Sequence, residues 1–350
     1  MPGKSKSLLN LPVRDAVRRV AGNYLNAASR GLARLEDPED PKGLHAFRVA
    51  IRRLRSLLRA YRPWLGRIAG RKVRRRLRDL TRATNIARDA EVQIAWLSTQ
   101  REQLARNELP GFNWLLRRLR DRKRRADRSG RAQLGRDFAR IVQLMGNRLD
   151  DADESGTELF PHAFFDVLEP GIAELKARLA AISGADDEED IHRSRIQIKR
   201  LRYLVEPLRK ELAEARALVR QFKDLQNLLG ELHDMHVLED ELAAAVEEAA
   251  TEKARSLHRL AVGGKEKSLK REQGRGERFG LVGFAARARA RRDALYAELK
   301  LTWLAKSGRG LAQELESLRG AVSTATDAAA AASGRRRKSV PPNLAELSAR

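Results

Sequence analysis

The chain has 350 residues, and its 71 Lys and Arg residues outnumber its 47 Asp and Glu residues, giving a formal net charge of +24 at pH 7. Such an excess repels itself in a folded protein, so the balance argues against an ordinary enzyme of neutral metabolites and favours a polyanionic partner. The absence of Cys excludes disulfides, thiolate metal sites and Cys nucleophiles.

No uncharged stretch approaches the roughly 20 apolar residues of a membrane span, and residues 1–11 lack the apolar run of a signal peptide. We therefore expect a cytoplasmic protein that does not enter the membrane.

From the N-terminus onward, nearly every segment shows helical periodicity, and strand patterns are almost absent, which predicts an all-α fold. Proline and glycine interrupt the pattern and predict helix boundaries. These boundaries fall at 36–41, 62–64, 109–111 and 155–161.

The chain contains an internal repeat. The segment HAFRVAIRRLRSLL from His45 aligns with HRSRIQIKRLRYLV from His192, an offset of 147 residues. LTRATNIARDAEV from Leu80 aligns with LQNLLGELHDMHV from Leu225 at an offset of 145. The difference falls between the helices, where insertions are tolerated. The repeat predicts two copies of one helical unit.

The repeat divides the chain into two helical halves, at 8–150 and 160–306. We expect a short N-terminal extension at 1–7. The composition of 321–350, with an alanine run, a basic cluster and two prolines, predicts a disordered basic tail.

Each copy begins with a basic amphipathic helix. Cations spaced by three and four residues share one face, about 21 Å long in the first copy at 1.5 Å per residue, and apolar residues form another. In the first copy the cationic face is His45, Arg48, Arg52, Arg55 and Arg59, and the core face is Phe47, Ile51, Leu54, Leu58 and Tyr61. In the second copy the cationic face is His192, Arg195, Lys199 and Arg202, and the core face is Ile198, Leu201, Val205 and Leu208.

The next helix of each copy is also predicted to be basic on one face. Between His45 and Arg88 there are 15 Lys or Arg residues and a single acid, Asp79. A solvated helix face normally interleaves acids, so the missing counter-charges indicate that the counter-ion is a ligand. The face comprises Arg71, Arg75, Arg78 and Arg82, and the offset of 145 carries these onto Arg216, Arg220, Lys223 and Asn227.

Acidic residues occur at equivalent places, where Asp89 follows Arg88 and Asp234 follows His233. We expect both acids to have a structural role in holding a helix end. The arginine neighbours of His45 and His192 would repel a cation, so we expect neither a metal site nor a cofactor.

The repeated motif H-x-x-R-[VI]-x-x-[RK]-R-L-R, followed by L-x-x-[RH]-D-x-x-V, resembles that of the CHAD family, the conserved histidine α-helical domain. The resemblance implies one such domain over 8–320, built as two pseudo-symmetric four-helix bundles around a central basic pore or groove. It also implies binding of inorganic polyphosphate, often with localisation to polyphosphate granules.

The resemblance also implies which residues bind polyphosphate, in each half of the chain. They are His45, Arg48, Arg52, Arg53, Arg55, Arg75 and Arg78, with His192, Arg195, Lys199, Arg200, Arg202, Arg220 and Lys223. Helical periodicity adds Arg59, Arg71, Arg82 and Arg216.

The sequence departs from a symmetric site at Arg88 and His233, which differ, and at Asn227, which replaces a cation. The E-x-E-x-K signature of the CYTH triphosphatase domain, which accompanies many relatives, is missing, so catalysis by such a domain is not implied. We expect a non-catalytic protein that binds polyphosphate by bidentate arginine contacts and counter-ion release, with tighter binding below about pH 6.5 if the histidines contribute.

Other classes of function stay open. Nucleic acid is the leading alternative, because net charge does not distinguish polyanions, although aromatic residues are scarce and no recognisable nucleic-acid motif is present. A phosphohydrolase or kinase normally needs carboxylates that hold a metal, which the basic helices nearly lack. An adaptor that attaches to polyphosphate granules is a further alternative.

Overall fold

The computed structural model describes residues 7–37, 40, 42–66, 70–149, 157–273, 276–305 and 309–338. Twelve α-helices occupy most of these ranges, joined by short 3₁₀ turns and one π-helical turn at Lys300–Leu304. They are α1 Val13–Ala33, α2 Lys42–Ala60, α3 Arg62–Leu65, α4 Arg71–Ala83, α5 Asn85–Gln100, α6 Leu109–Leu149, α7 Phe160–Ala181, α8 Glu188–Val205, α9 Ala213–Val262, α10 Glu266–Gln273, α11 Glu277–Leu299 and α12 Arg309–Lys338. The prediction of an all-α fold is confirmed.

The basic helices of the repeat are α2 and α8, and their predicted core faces are confirmed. Phe47, Ile51, Leu54 and Leu58 of α2 are buried, as are their counterparts on α8. Each helix packs on the one before it, α2 on α1 and α8 on α7, and α2 also contacts α8. The α2–α8 contact brings the two repeated sequences together.

The second repeated segment is built differently in the two halves. In the first half it is broken at Thr84 between α4 and α5, whereas in the second it lies inside the 50-residue helix α9. The Thr81 hydroxyl donates to the Leu77 carbonyl (2.8 Å), and the Thr84 hydroxyl donates to the Thr81 carbonyl (2.9 Å). Hydroxyls that bond to backbone carbonyls compete with regular helix geometry, and the equivalent of Thr84 in α9 is a leucine, Leu229.

The buried side chains form one hydrophobic core that runs through both halves. Tyr61 from the first half contacts Phe160 from the second, with ring centroids 5.6 Å apart, and Phe112 lies 6.3 Å from Phe284. The halves therefore share a core. The two separate, pseudo-symmetric bundles stay a prediction.

The predicted disorder of the C-terminal tail is wrong for residues 321–338, which continue α12. Leu318 and Val322 of this helix are buried, and Gln221 of α9 donates to Glu314 (3.1 Å), so α12 is held against α9. Residues 339–350 lie outside the described ranges, as do residues 1–6 of the predicted N-terminal extension. Among the described helices, none is long and apolar enough to cross a membrane.

Candidate functional site

Four cations meet where α2 and α8 pack together, and we call them the central cluster: Arg48 and Arg52 of α2, with Arg195 and Lys199 of α8. The charge of Arg52 lowers the pKa of both Arg195 and Lys199, which places it between the two helices. Arg48 is buried, and the other three are half-buried. The sequence assigned all four to the binding site, and the fold brings them together.

Two carboxylates face the central cluster. Asp234 lies 3.6 Å from the Arg195 guanidinium. Asp89 lies close enough for its charge to oppose the lowering of the pKa of both Arg48 and Arg195. Burial raises the pKa of Asp234, against the opposing charge of Arg195. The expectation that these acids hold helix ends is wrong for Asp234, which lies well inside α9.

Burial and neighbouring positive charges lower the pKa of three cations of the cluster, Arg48, Arg195 and Lys199. Burial, followed by the charge of Arg195, lowers the pKa of Lys199 to about 6, and burial lowers the pKa of Arg48 to about 10. The Nε atoms of Arg52 and Arg195 have no hydrogen-bond acceptor within the described part of the chain. Buried donors normally have acceptors, so the cluster is arranged to receive one.

The histidines lie at two ends of the cluster. His192 and His233 have ring centroids 4.6 Å apart and line a cavity of about 590 Å³ whose wall also includes Asp186–Asp190. Burial and the charge of Arg195 lower the pKa of His233 to about 3, and burial lowers that of His192. His45 is exposed at the other end, where burial and Arg88 lower its pKa. In the free protein the pKa of each of these three histidines therefore lies below its ordinary value.

A second group of cations continues the row along α2, and we call it the outer cluster: Arg55, Arg59, Arg78, Arg82 and Arg200. Burial, then the charges of Arg59, Arg78 and Arg82, lowers the pKa of Arg55. Burial, then Arg59, lowers the pKa of Arg200. Side chains of α2, α4 and α8 thus lie close together.

Arg53 and Arg202, both predicted binding residues, have partners inside the protein. Arg53 forms a bidentate ion pair with Glu206, with Nε to Oε2 at 2.8 Å. Arg202 lies over the ring of Tyr203 at 4.9 Å, and Arg53 lies over the same ring at 5.9 Å. The Arg53 fork is therefore occupied by a carboxylate, which the local motif gives no means of predicting.

The remaining predicted residues are exposed on the outer surfaces of α4 and α9, and Arg216 donates to the Arg209 carbonyl (3.4 Å). They are Arg71, Arg75, Arg216, Arg220 and Lys223. Within the described ranges, no group of three or more His, Asp or Glu residues is arranged to hold a metal ion.

Sequence reasoning did not place Arg88, Asp89, His233 and Asp234 beside the binding cations. The repeat itself indicates these positions, because Asp89 and Asp234 are related by the offset of 145. Each acid directly follows a residue that lies near a motif histidine: Arg88 near His45, and His233 near His192.

Comparisons with known proteins agree with this geometry. The family model described as "CHAD domain" matches residues 19–243. The crystal structure of the CHAD domain from the plant Ricinus communis superposes with a TM-score of 0.60 at 23% identity, covering 83% of this chain and 92% of that one. No curated protein is significantly similar to the chain. The solved structure supports the fold, and the family model covers both copies of the motif.

Proposed function

The chain belongs to the CHAD domain family, and on that premise we propose that it binds inorganic polyphosphate through the central and outer clusters. The observation that carries the proposal is the convergence of Arg48, Arg52, Arg195 and Lys199 from the two repeated helices, faced by Asp89 and Asp234. Two carboxylates balance two of these four cations, and a phosphate chain supplies counter-charge for the others.

The arrangement suits an extended anion rather than a single one. The central cluster continues into the outer cluster along α2, from Arg48 and Arg52 to Arg55 and Arg59. Guanidinium forks bind phosphate oxygens in pairs, so successive arginines on one helix face hold successive phosphates. Release of condensed counter-ions then makes the affinity fall steeply with salt.

Polyphosphate is favoured over nucleic acid because the clusters offer little to stack a base. The ring of Tyr203, which contacts these cations, is buried beneath Arg53 and Arg202. Proteins that hold single-stranded nucleic acid usually present exposed aromatic rings to successive bases. The proposed role is non-catalytic binding, with association to polyphosphate granules as its cellular consequence.

Calorimetry of long-chain polyphosphate at physiological salt tests the proposal, with duplex DNA as competitor. The test variant combines Arg52→Gln and Lys199→Gln, which removes one cation from each helix of the central cluster. The matched control combines Arg106→Gln and Arg289→Gln, two exposed arginines outside both clusters, so both variants lose the same formal charge.

We expect the native protein to bind polyphosphate tightly and DNA not to displace it. The affinity of the cluster variant should fall by about tenfold or more, which corresponds to about 1.4 kcal/mol or more. The affinity of the control should change little. Equal competition by DNA, with both variants weakened alike, would show instead a general polyanion surface. Binding that persists undiminished in 1 M salt would contradict counter-ion release.

A further inference from the structure

The outer face of α6 carries a basic stripe that no sequence motif assigned to the site. Arg117, Arg120 and Arg124 are spaced by three and four residues and are all exposed, so they share one face about 10 Å long at 1.5 Å per residue. Asp121 contacts Arg124. The stripe keeps a net positive charge.

Two other cations of α6 differ from Arg117 and Arg120 because carboxylates of α9 neutralise them. Arg118 and Arg122 both contact Glu241 of α9, and Arg118 Nε also donates to Glu248 (2.7 Å). These contacts fix the inner face of α6 against α9. Arg117 and Arg120 form no salt bridge with a described residue.

One carboxylate links Lys123, which adjoins the stripe on α6, to Arg88, a neighbour of the central cluster. Glu91 of α5 lies 3.3 Å from Arg88 through one oxygen and 3.6 Å from Lys123 of α6 through the other. Arg88 in turn lies near His45 and Arg48, because its charge lowers the pKa of both. Cations therefore lie at intervals from the His45 end of the central cluster to α6, with Arg88 and Lys123 on either side of Glu91.

The opposite end of the cluster is closed to an anion. The cavity beside His192 and His233 is walled by five consecutive acids, Asp186–Asp190. Helix α11 packs on α9 as α6 packs on α5, but its cations are paired with carboxylates. Arg292 contacts Glu239 at 2.8 Å, and Arg287 contacts Glu108 at 2.9 Å.

We propose that a long polyphosphate chain leaves the central cluster at its His45 end and continues along the stripe of Arg117, Arg120 and Arg124 on α6. This inference rests on the proposed function and adds a preference for chain length. A chain short enough to fit within the central cluster gains nothing from α6, whereas a long chain gains the three further cations.

The test compares tripolyphosphate with long-chain polyphosphate on the same proteins. The stripe variant combines Arg117→Gln, Arg120→Gln and Arg124→Gln. The matched control combines Arg30→Gln, Arg289→Gln and Lys300→Gln, exposed cations on α1, on α11 and just beyond it, and removes the same charge.

We expect the stripe variant to bind tripolyphosphate as the native protein does and long-chain polyphosphate about tenfold more weakly, with a shallower salt dependence because fewer counter-ions are released. The control should leave both affinities unchanged. Equal weakening for the two chain lengths, or equal weakening by the control, would overturn the α6 path and leave the central cluster intact. If the native protein binds neither chain, the proposed function itself fails, and this inference fails with it.

Discussion

Two equivalent positions where α2 meets α8 have opposite electrostatics. At the first, Arg53 is held by the carboxylate of Glu206. The repeat offset of 147 carries Arg53 onto Arg200 and Glu206 onto Arg59, so at the second position two guanidinium groups approach each other. The first position joins the halves with an ion pair whose carboxylate also lies 3.5 Å from Arg209, and the second brings two forked donors together.

The difference shows that a repeated cation does not have a repeated role. Arg53 and Arg200 fall at the same place in the motif, yet among the described residues only Arg53 forms a salt bridge across the α2–α8 contact. The mutations below either exchange these two roles or measure how strongly each is held.

The largest expected effect follows Glu206→Gln. The Glu206 side chain is 8% exposed and that of Arg53 is 27% exposed, so the substitution leaves Arg53 half-buried without its carboxylate. Breaking a buried pair from one side should lower the free energy of unfolding by about 3 kcal/mol. Chemical denaturation measures this change. Glu298→Gln, on the exposed face of α11, is the control, and an equal loss in both variants would contradict the structural role of the Arg53 pair.

The second prediction introduces a carboxylate at the second position, as Glu206 provides one at the first. Arg59→Glu places a carboxylate beside Arg200, which should raise the free energy of unfolding by about 0.5 kcal/mol, as for an exposed ion pair. The same change should weaken polyphosphate binding by about tenfold, roughly 1.4 kcal/mol. Arg62→Glu makes the same charge change on α3, where it is exposed. Equal effects of the two variants on affinity would remove Arg59 from the site.

A third prediction compares Lys199 with its equivalent, Arg52. The pKa of Lys199 is lowered to about 6, so its amine is mostly neutral at pH 7 in the free protein. A bound anion favours the charged amine and raises this pKa, so affinity should rise as pH falls from about 8 and level off below about 6. Calorimetry in buffers of different ionisation enthalpy should detect proton uptake on binding.

Lys199→Arg is the control for that experiment, because a guanidinium holds its charge over this range. The variant should bind with less proton uptake and a flatter pH dependence. Unchanged proton uptake in Lys199→Arg would assign the titration to another group.

The smallest effect is expected at the acidic end of the cluster. Combining Glu188→Gln, Glu189→Gln and Asp190→Asn removes negative charge beside His192 and His233. Affinity for long-chain polyphosphate should rise about twofold to threefold, the scale of exposed charge effects. Glu298→Gln, Glu316→Gln and Asp327→Asn make the same charge change at exposed positions elsewhere. Lower affinity in the Glu188 variant would show that the acids support the site.

The sequence was sufficient for the features that depend on local periodicity. The core faces of α2 and α8 are buried as predicted, because alternating spacings of three and four residues define a helix face whatever lies against it. The same spacing, with the internal repeat, identified the four residues of the central cluster before their meeting was known.

Features that depend on distant partners could not be predicted in this way. Glu206 lies 153 residues from Arg53, and nothing in the motif indicates that the two meet. The composition of 321–338 predicted disorder, but these residues continue α12, a helix in which Leu318 and Val322 are buried. The stripe on α6 could not be assigned from the sequence, because its relation to the cluster depends on Glu91, which contacts Arg88 of α5 and Lys123 of α6.

The meeting of α2 and α8 also determines when the site can exist during synthesis. Arg48 and Arg52 leave the ribosome well before Arg195 and Lys199, since nearly 150 residues separate the repeated motifs. Contacts across such a separation form late, after the loop-closure entropy of the intervening chain has been overcome. A nascent first half therefore presents the arginines of α2 without their partners from α8. The central cluster is complete only after α8 has packed against α2.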